Sequence, residues 1–326
     1  MSNHNRNMTK ALFLYLLALA FLTSCGQPDL QTTPASSNTP LHYHGKILPA
    51  DISADNATPI ARLLFNSPTN TSTPITGSIR HASTQPLLSV QALAAPLVLL
   101  FQHHQSLSPS FSPATGGLQS YASTTYGAQG GSVYIVSEQD SSTQSSTSIL
   151  IYAHYKEQGQ QLHGRMRMTT SRISAVEIEI KYLFENLHIQ QSHQSVILSG
   201  SQSITTHIQD LSTTIIANYI VEDTFTGQQR QSEHFTTILQ HNGDSQMSGT
   251  LYDSLLGKLD VHTTSALNMS QQSAFPYAGG PLQVFGMDGK SVRISPIHDA
   301  AILIEADTNG DSIFDYSAGV ISLHHP

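Results

Sequence analysis

The stretch Ala175-Val176-Glu177-Ile178-Glu179-Ile180-Lys181-Tyr182 decides the fold. Apolar residues occupy every second place and charged residues fill the places between, and successive side chains of an extended chain point to opposite faces. The segment therefore reads as a β-strand with one dry and one wet face. Outward from it, the same period recurs at Val133 to Val136, Ile149 to Tyr155, Leu162 to Thr170, Val196 to Thr205, Thr213 to Val221 and Phe235 to Leu239. It continues at Gly249 to Tyr252, Leu259 to His262, Leu282 to Phe285, Ser291 to Ile294 and Ile302 to Glu305. Gly, Asn, Asp, Ser and Gln separate these runs, as turns require. Gly286-Met287-Asp288-Gly289 lies between two of them, and its Asp-Gly suits a tight hairpin.

Consecutive strands joined by short turns predict an antiparallel meander. So many strands disfavour a flat open sheet, and the economical arrangement is a strongly curved sheet or incomplete barrel with one N-terminal helix packed on it. That helix is expected near residues 86–101, where Leu87, Val90, Leu93, Ala94, Leu97 and Phe101 recur at helical spacing and Thr84 stands at the start. Pro96 would kink or end it. Leu162-His163-Gly164, Leu198-Ser199-Gly200 and Met247-Ser248-Gly249 form a weak, unevenly spaced repeat, in which glycine marks bulges or bends of the sheet.

Composition narrows the function classes. Of 326 residues 39% are hydrophobic and only 11% charged, and the net charge is −8. A phosphate backbone needs clustered Lys and Arg, so nucleic acid is not an expected partner. The single cysteine excludes an intramolecular disulfide and calls for its own explanation. Arg6 and Lys10 precede an unbroken apolar run from Ala11 to Leu22, twelve residues long: enough for the apolar part of a signal peptide and too short to span a bilayer. The run ends in Leu22-Thr23-Ser24-Cys25, which resembles the bacterial lipobox, an aliphatic residue and two small ones before the cysteine that becomes lipidated. The resemblance implies a signal peptide over residues 1–24, cleavage before Cys25 and a palmitate-bearing anchor, each buried methylene contributing about 0.8 kcal/mol. Gly26 in place of Asp favours the outer membrane by the same resemblance. Residues 25–59, rich in Gln, Thr, Ser and Pro, have little to bury and read as a flexible tether, leaving 60–326 as a single β-rich domain.

A helix, then Gly130-Gly131-Ser132-Val133, a run of strands, Leu-Ser-Gly turns and a final aspartate-rich loop is similar to uncharacterised β-rich exported lipoproteins of Gram-negative bacteria. The resemblance spans roughly residues 85–316 and brings no activity with it. Those relatives carry a cysteine pair near the Gly-Gly-Ser element, where this chain has Ala128 and no cysteine.

The sharpest local motif is Asp307-Thr308-Asn309-Gly310-Asp311-Ser312-Ile313-Phe314-Asp315. Hard cations need converging oxygens, and alternate places of a tight loop offer Asp307, Asn309, Asp311, the carbonyl of Ile313 and Asp315. This resembles the first nine positions of an EF-hand calcium loop, with Ser312 where Gly is usual and Ala318 where a closing Glu would stand. Structural Ca²⁺ and a solvated turn closing the last hairpin are the two readings. Gly243-Asp244-Ser245 and Gly310-Asp311-Ser312 share three letters with a hydrolase nucleophile block but lack the following Leu and the strand-helix alternation. The pairs His42/His44, His103/His104 and His324/His325 lie in loops or tails. The expected function is a non-enzymatic envelope lipoprotein that binds a protein, glycan or lipid or fills a structural role. The alternatives are a carrier of lipid or another hydrophobic ligand and a surface-anchored hydrolase.

Overall fold

The computed structural model describes residues 41–65, 118–140, 142–157, 159–191, 194–269, 276–298 and 301–322. The signal segment, Cys25, residues 26–40 and the helix expected at 86–101 lie outside the described residues.

Alternation of apolar and polar residues produces strands throughout. They are β1 Leu118–Tyr126, β2 Ser132–Asp140, β3 Ser145–Glu157, β4 Gln160–Ser174, β5 Glu177–Gln191, β6 Gln194–His207, β7 Ser212–Asp223 and β8 Gln229–Leu239. There follow β9 Asp244–Asp253, β10 Gly257–Thr263, β11 Leu267–Met269, β12 Pro276–Gly279, β13 Leu282–Phe285, β14 Ser291–His298, β15 Ala301–Asp307 and β16 Tyr316–Ser322. All sixteen belong to one antiparallel sheet that does not close on itself. The order is sequential from β1 to β10 and then β13 to β16, with the short β11 bridging β9 and β12. The expected meander is thus observed, but β3 to β6 are far longer than the periodic runs suggested, at 13 to 15 residues each. Ala175 and Val176 belong to the β4–β5 turn, and the strand begins at Glu177.

One face of the sheet is apolar and buried. Leu150, Tyr152, Met166, Phe184, Leu198, Phe235, Val284 and Ile304 belong to a single continuous core. Long strands keep their dry face only because they are bulged in the middle. On β5, Tyr182 and Phe184 are buried before the irregularity and Leu187 and Ile189 after it, so the extra residue resets the alternation. Matching register shifts occur at Tyr152/Tyr155, Ala217/Tyr219 and Glu233/Thr236. His154, Asn186 and His234, at φ of 50°, 49° and 48°, are the left-handed residues of these bulges.

The three Gly motifs face them. Gly164, Gly200 and Gly249 have φ of 117°, 124° and 142°. A Cβ on Gly164 would run into the Asn186 carbonyl, one on Gly200 into that of Asn218, and one on Gly249 into Phe235 Cα at 2.5 Å. Bulges on β3, β5 and β8 and glycines on β4, β6 and β9 therefore lie in a line across the sheet, a crease in its ladders.

Residues 41–59 correct the tether expectation, because they are part of the folded domain. The Leu41 N–H donates to Asn186 Oδ1 at 3.2 Å and the His44 N–H to Gln229 Oε1 at 2.7 Å. Lys258 N–H donates to the Leu48 carbonyl, Ala50 N–H to that of Lys258, and Met287 N–H to that of Ala50, each at 2.7–2.8 Å. Ala50 and Ile52 are fully buried by this stitching. A helix, α1 (Ala54–Phe65), follows at once. Asn56 Oδ1 accepts the Ser53 N–H at its start, and the buried positions Ala57, Ile60, Ala61 and Leu64 give one apolar stripe against β14 to β16. Low overall hydrophobicity hid this: a few well-spaced aliphatic residues suffice when the sheet already supplies the other half of the contact.

Candidate functional site

The aspartate loop joins β15 to β16. Asp307 is fully buried, its Oδ1 accepting the Asn309 and Gly310 N–H groups at 3.3 and 2.7 Å and its Oδ2 that of Ser312 at 2.8 Å. Asp311 Oδ1 accepts the Ile313 N–H at 2.8 Å and its Oδ2 the Asn309 amide at 3.2 Å. Asn309 Oδ1 in turn accepts the Asp311 N–H at 2.9 Å. Asp315 takes both the N–H and the hydroxyl of Thr308, at 2.8 and 2.7 Å, and these bonds hold its carboxyl below the usual carboxylate range. The Ile313 side chain is exposed. Among the described residues no three His, Cys, Asp or Glu side chains form a group that could hold a metal ion.

What the loop does in this geometry is cap a strand end. Asp253 at the end of β9 accepts the Leu255 and Leu256 N–H groups, and Asp223 at the end of β7 accepts those of Phe225 and Thr226. All three aspartates are buried, and each satisfies backbone donors that the turning chain would otherwise leave without acceptors. The shared pattern Asp-Thr/Ser-x-x-Gly at 223–227 and 253–257 was a signal available in the sequence. Gly310 seats the loop against the β13–β14 hairpin, where a Cβ would strike the Asp288 carbonyl. In that hairpin Asp288 has φ 55°, ψ 34° and Gly289 φ 79°, the left-handed pair the Asp-Gly turn calls for.

Of the two candidate nucleophiles, Ser245 is fully buried and its hydroxyl has no partner among the described residues, and Ser312 is exposed in the loop, its N–H donating to Asp307 Oδ2. Among the described residues Ser195 meets a histidine, its Oγ lying 2.7 Å from His188 Nε2, and it too is buried in the sheet. His188 is one of three histidines that the strand register brings together with His154 and His163, which no spacing in the sequence betrayed.

Among the described residues a concave feature lies on the face opposite the core. A groove of about 530 Å³ follows the crease, walled by Leu183, Asn186, Asn218, Ile220 and Glu233, with Leu41 laid over it. A second hollow of about 270 Å³ adjoins it, sharing Leu183 and Asn218 and extending to Arg167, Lys181, Ser201 and Ser203. The walls follow directly from register. Arg167 stands opposite Leu183, Leu183 opposite Ser201 and Ser201 opposite Asn218, so one row crosses four strands.

No family model, curated protein or solved structure matches this chain.

The groove is charged unevenly. Arg165 pairs with Glu185 at 3.1 Å and Lys181 with Glu179 at 2.9 Å, and Glu233 accepts the Tyr252 hydroxyl at 2.8 Å. Arg167 has neither ion pair nor hydrogen bond among the described residues, and its Nε is buried. Mixed aliphatic and polar walls with a few convergent polar groups are what a ligand site offers. Sequence reasoning missed the groove because its residues come from four strands, each ordinary alone.

Proposed function

We propose that this chain is a non-enzymatic binding protein of the bacterial envelope, lipidated at Cys25, held to the outer membrane and taking its ligand in the groove along the crease. The groove carries the reading. It is an open concavity of about 530 Å³ on a rigid sheet, lined by aliphatic side chains interspersed with amide and carboxylate groups. The anchor reading rests on Leu22-Thr23-Ser24-Cys25 after the apolar run, and an envelope ligand, whether lipid, glycan or protein segment, follows from that location. Structural calcium at Asp307 to Asp315 would belong to the last hairpin and not to the groove.

Two measurements test this. Expressed in a Gram-negative host, the chain incorporates a palmitate analogue and Cys25→Ala does not; undiminished labelling of the variant refutes the anchor. Incubated with envelope extract, the parent retains a ligand detectable by native mass spectrometry, and Asn218→Arg, which fills the groove from β7, does not. A ligand kept equally by both removes the groove from the function.

A further inference from the structure

We propose that the β4–β7 end of the groove is an oxyanion site built on Arg167, which receives the carboxylate or phosphate head of an amphiphilic ligand whose apolar chain lies along Leu183 and Ile220. This rests on the groove reading above and names the ligand class.

The first observation is the state of Arg167. A guanidinium in a folded protein ordinarily has a partner, and half-buried Arg167 has no ion pair or hydrogen bond among the described residues, its Nε being buried without an acceptor. Its two neighbours on the same face, Arg165 and Lys181, each have a glutamate. Arg167 therefore lines the hollow with no protein acceptor among the described residues, and the planar fork of an arginine matches a carboxylate or phosphate through two parallel bonds.

The surroundings supply the second observation. Next to the Arg167–Leu183–Ser201–Asn218 row runs a parallel one, with Thr169 opposite Lys181, Lys181 opposite Ser203 and Ser203 opposite Ile216. Among the described residues the hollow is thus lined by Arg167, by Lys181, which Glu179 pairs, and by the hydroxyls of Thr169, Ser201 and Ser203, with no carboxylate in the lining itself. In a chain of net charge −8 Arg167 is a local positive charge without a counter-ion in that lining.

The net charge also limits what binds. A bare anion is repelled at long range by the rest of the molecule, so affinity has to come from apolar contact as well. The groove provides it: Leu183, 38% exposed, is common to both hollows, and Ile220 and Leu41 add apolar side chains to the larger one. Head and chain are thus recognised by adjoining parts of one face.

The test uses the full-length chain and two photoactivatable probes of equal length, a diazirine decanoate and the corresponding diazirine decanol, with the labelled peptides mapped. The acid is expected to label the β4–β7 strands saturably and the alcohol only weakly. Arg167→Gln should reduce labelling by the acid about tenfold, as loss of a charge-assisted pair implies. Arg167→Lys should retain part of it, and Lys181→Gln, a change at an exposed side chain, should weaken it without altering the fold; melting curves confirm that each variant is folded. Equal labelling by acid and alcohol, unchanged in Arg167→Gln, overturns the oxyanion site while leaving a groove that binds apolar ligands. Inorganic phosphate competing as well as unlabelled decanoate overturns the amphiphile in favour of a free anion. Absence of any label in the groove overturns the proposal, and the envelope-extract measurement then decides separately whether the groove binds something else.

Discussion

His163 lies directly opposite His188 across the β4–β5 ladder, and the ring of His154 stacks on that of His163 with centroids 4.4 Å apart. Three imidazoles thus stand side by side on three adjacent strands. The side-chain amide nitrogen of Gln161 lies 3.1 Å from His154 Nδ1. Burial lowers the pKa of His163, with the His154 charge adding to it, and burial followed by the His163 and His154 charges lowers that of His188.

The consequence for stability has a definite sign. Both folded-state values lie below the ordinary histidine value of 6.5, so the unfolded chain binds protons more readily. The contribution is complete above that value and is lost as pH falls below it. Thermal melting between pH 7.5 and 5.5 should show a falling Tm, and His163→Gln should flatten the dependence by removing the middle ring. A parent Tm that is flat over this interval would sink the argument.

The crease makes a second prediction, in which two glycines of nearly equal φ act as their own control. Gly130 has φ 112° and open space around a would-be Cβ; Gly164 has φ 117° and the Asn186 backbone there. Alanine at either position pays for the strained backbone, about 1–3 kcal/mol. Only Gly164→Ala must also push two strands apart, so urea unfolding should place it clearly below Gly130→Ala in stability. Equal losses would mean that the crease is not a point of close backbone approach.

Asp307 provides the third. Its two oxygens serve three backbone N–H groups in a fully buried position. Asp307→Ala leaves those donors without their acceptor and should lower stability by about 1–3 kcal/mol. The decisive condition is chelator: the loss appears there if the carboxylate caps the strand end, and appears only with calcium present if an ion carries the loop. Denaturant unfolding in both buffers separates the two.

Local pattern alone determined the class of the fold. Alternation in segments such as Glu177 to Tyr182 sets which side chains turn inward, and Asp288-Gly289 sets a tight hairpin, because both depend only on backbone geometry within a few residues. Gly164, Gly200 and Gly249 were legible as bulges or bends of the sheet for the same reason. Which bulge each would face was not, since the pairing of Gly164 with Asn186 is a matter of register between strands. The same limit hid the histidine row and the groove: Arg167, Leu183, Ser201 and Asn218 are neighbours only through three consecutive cross-strand registers. It also hid the docking of residues 41–52, whose partners Asn186, Gln229, Lys258 and Met287 lie far along the chain. A segment poor in apolar residues cannot announce such contacts, because the acceptors and donors that hold it exist only once the sheet has formed. Period and turn chemistry are properties of neighbouring residues and can be read along the chain; register, close approach and the placing of Arg167 in the hollow are properties of the assembled sheet, and only the tertiary structure decided them.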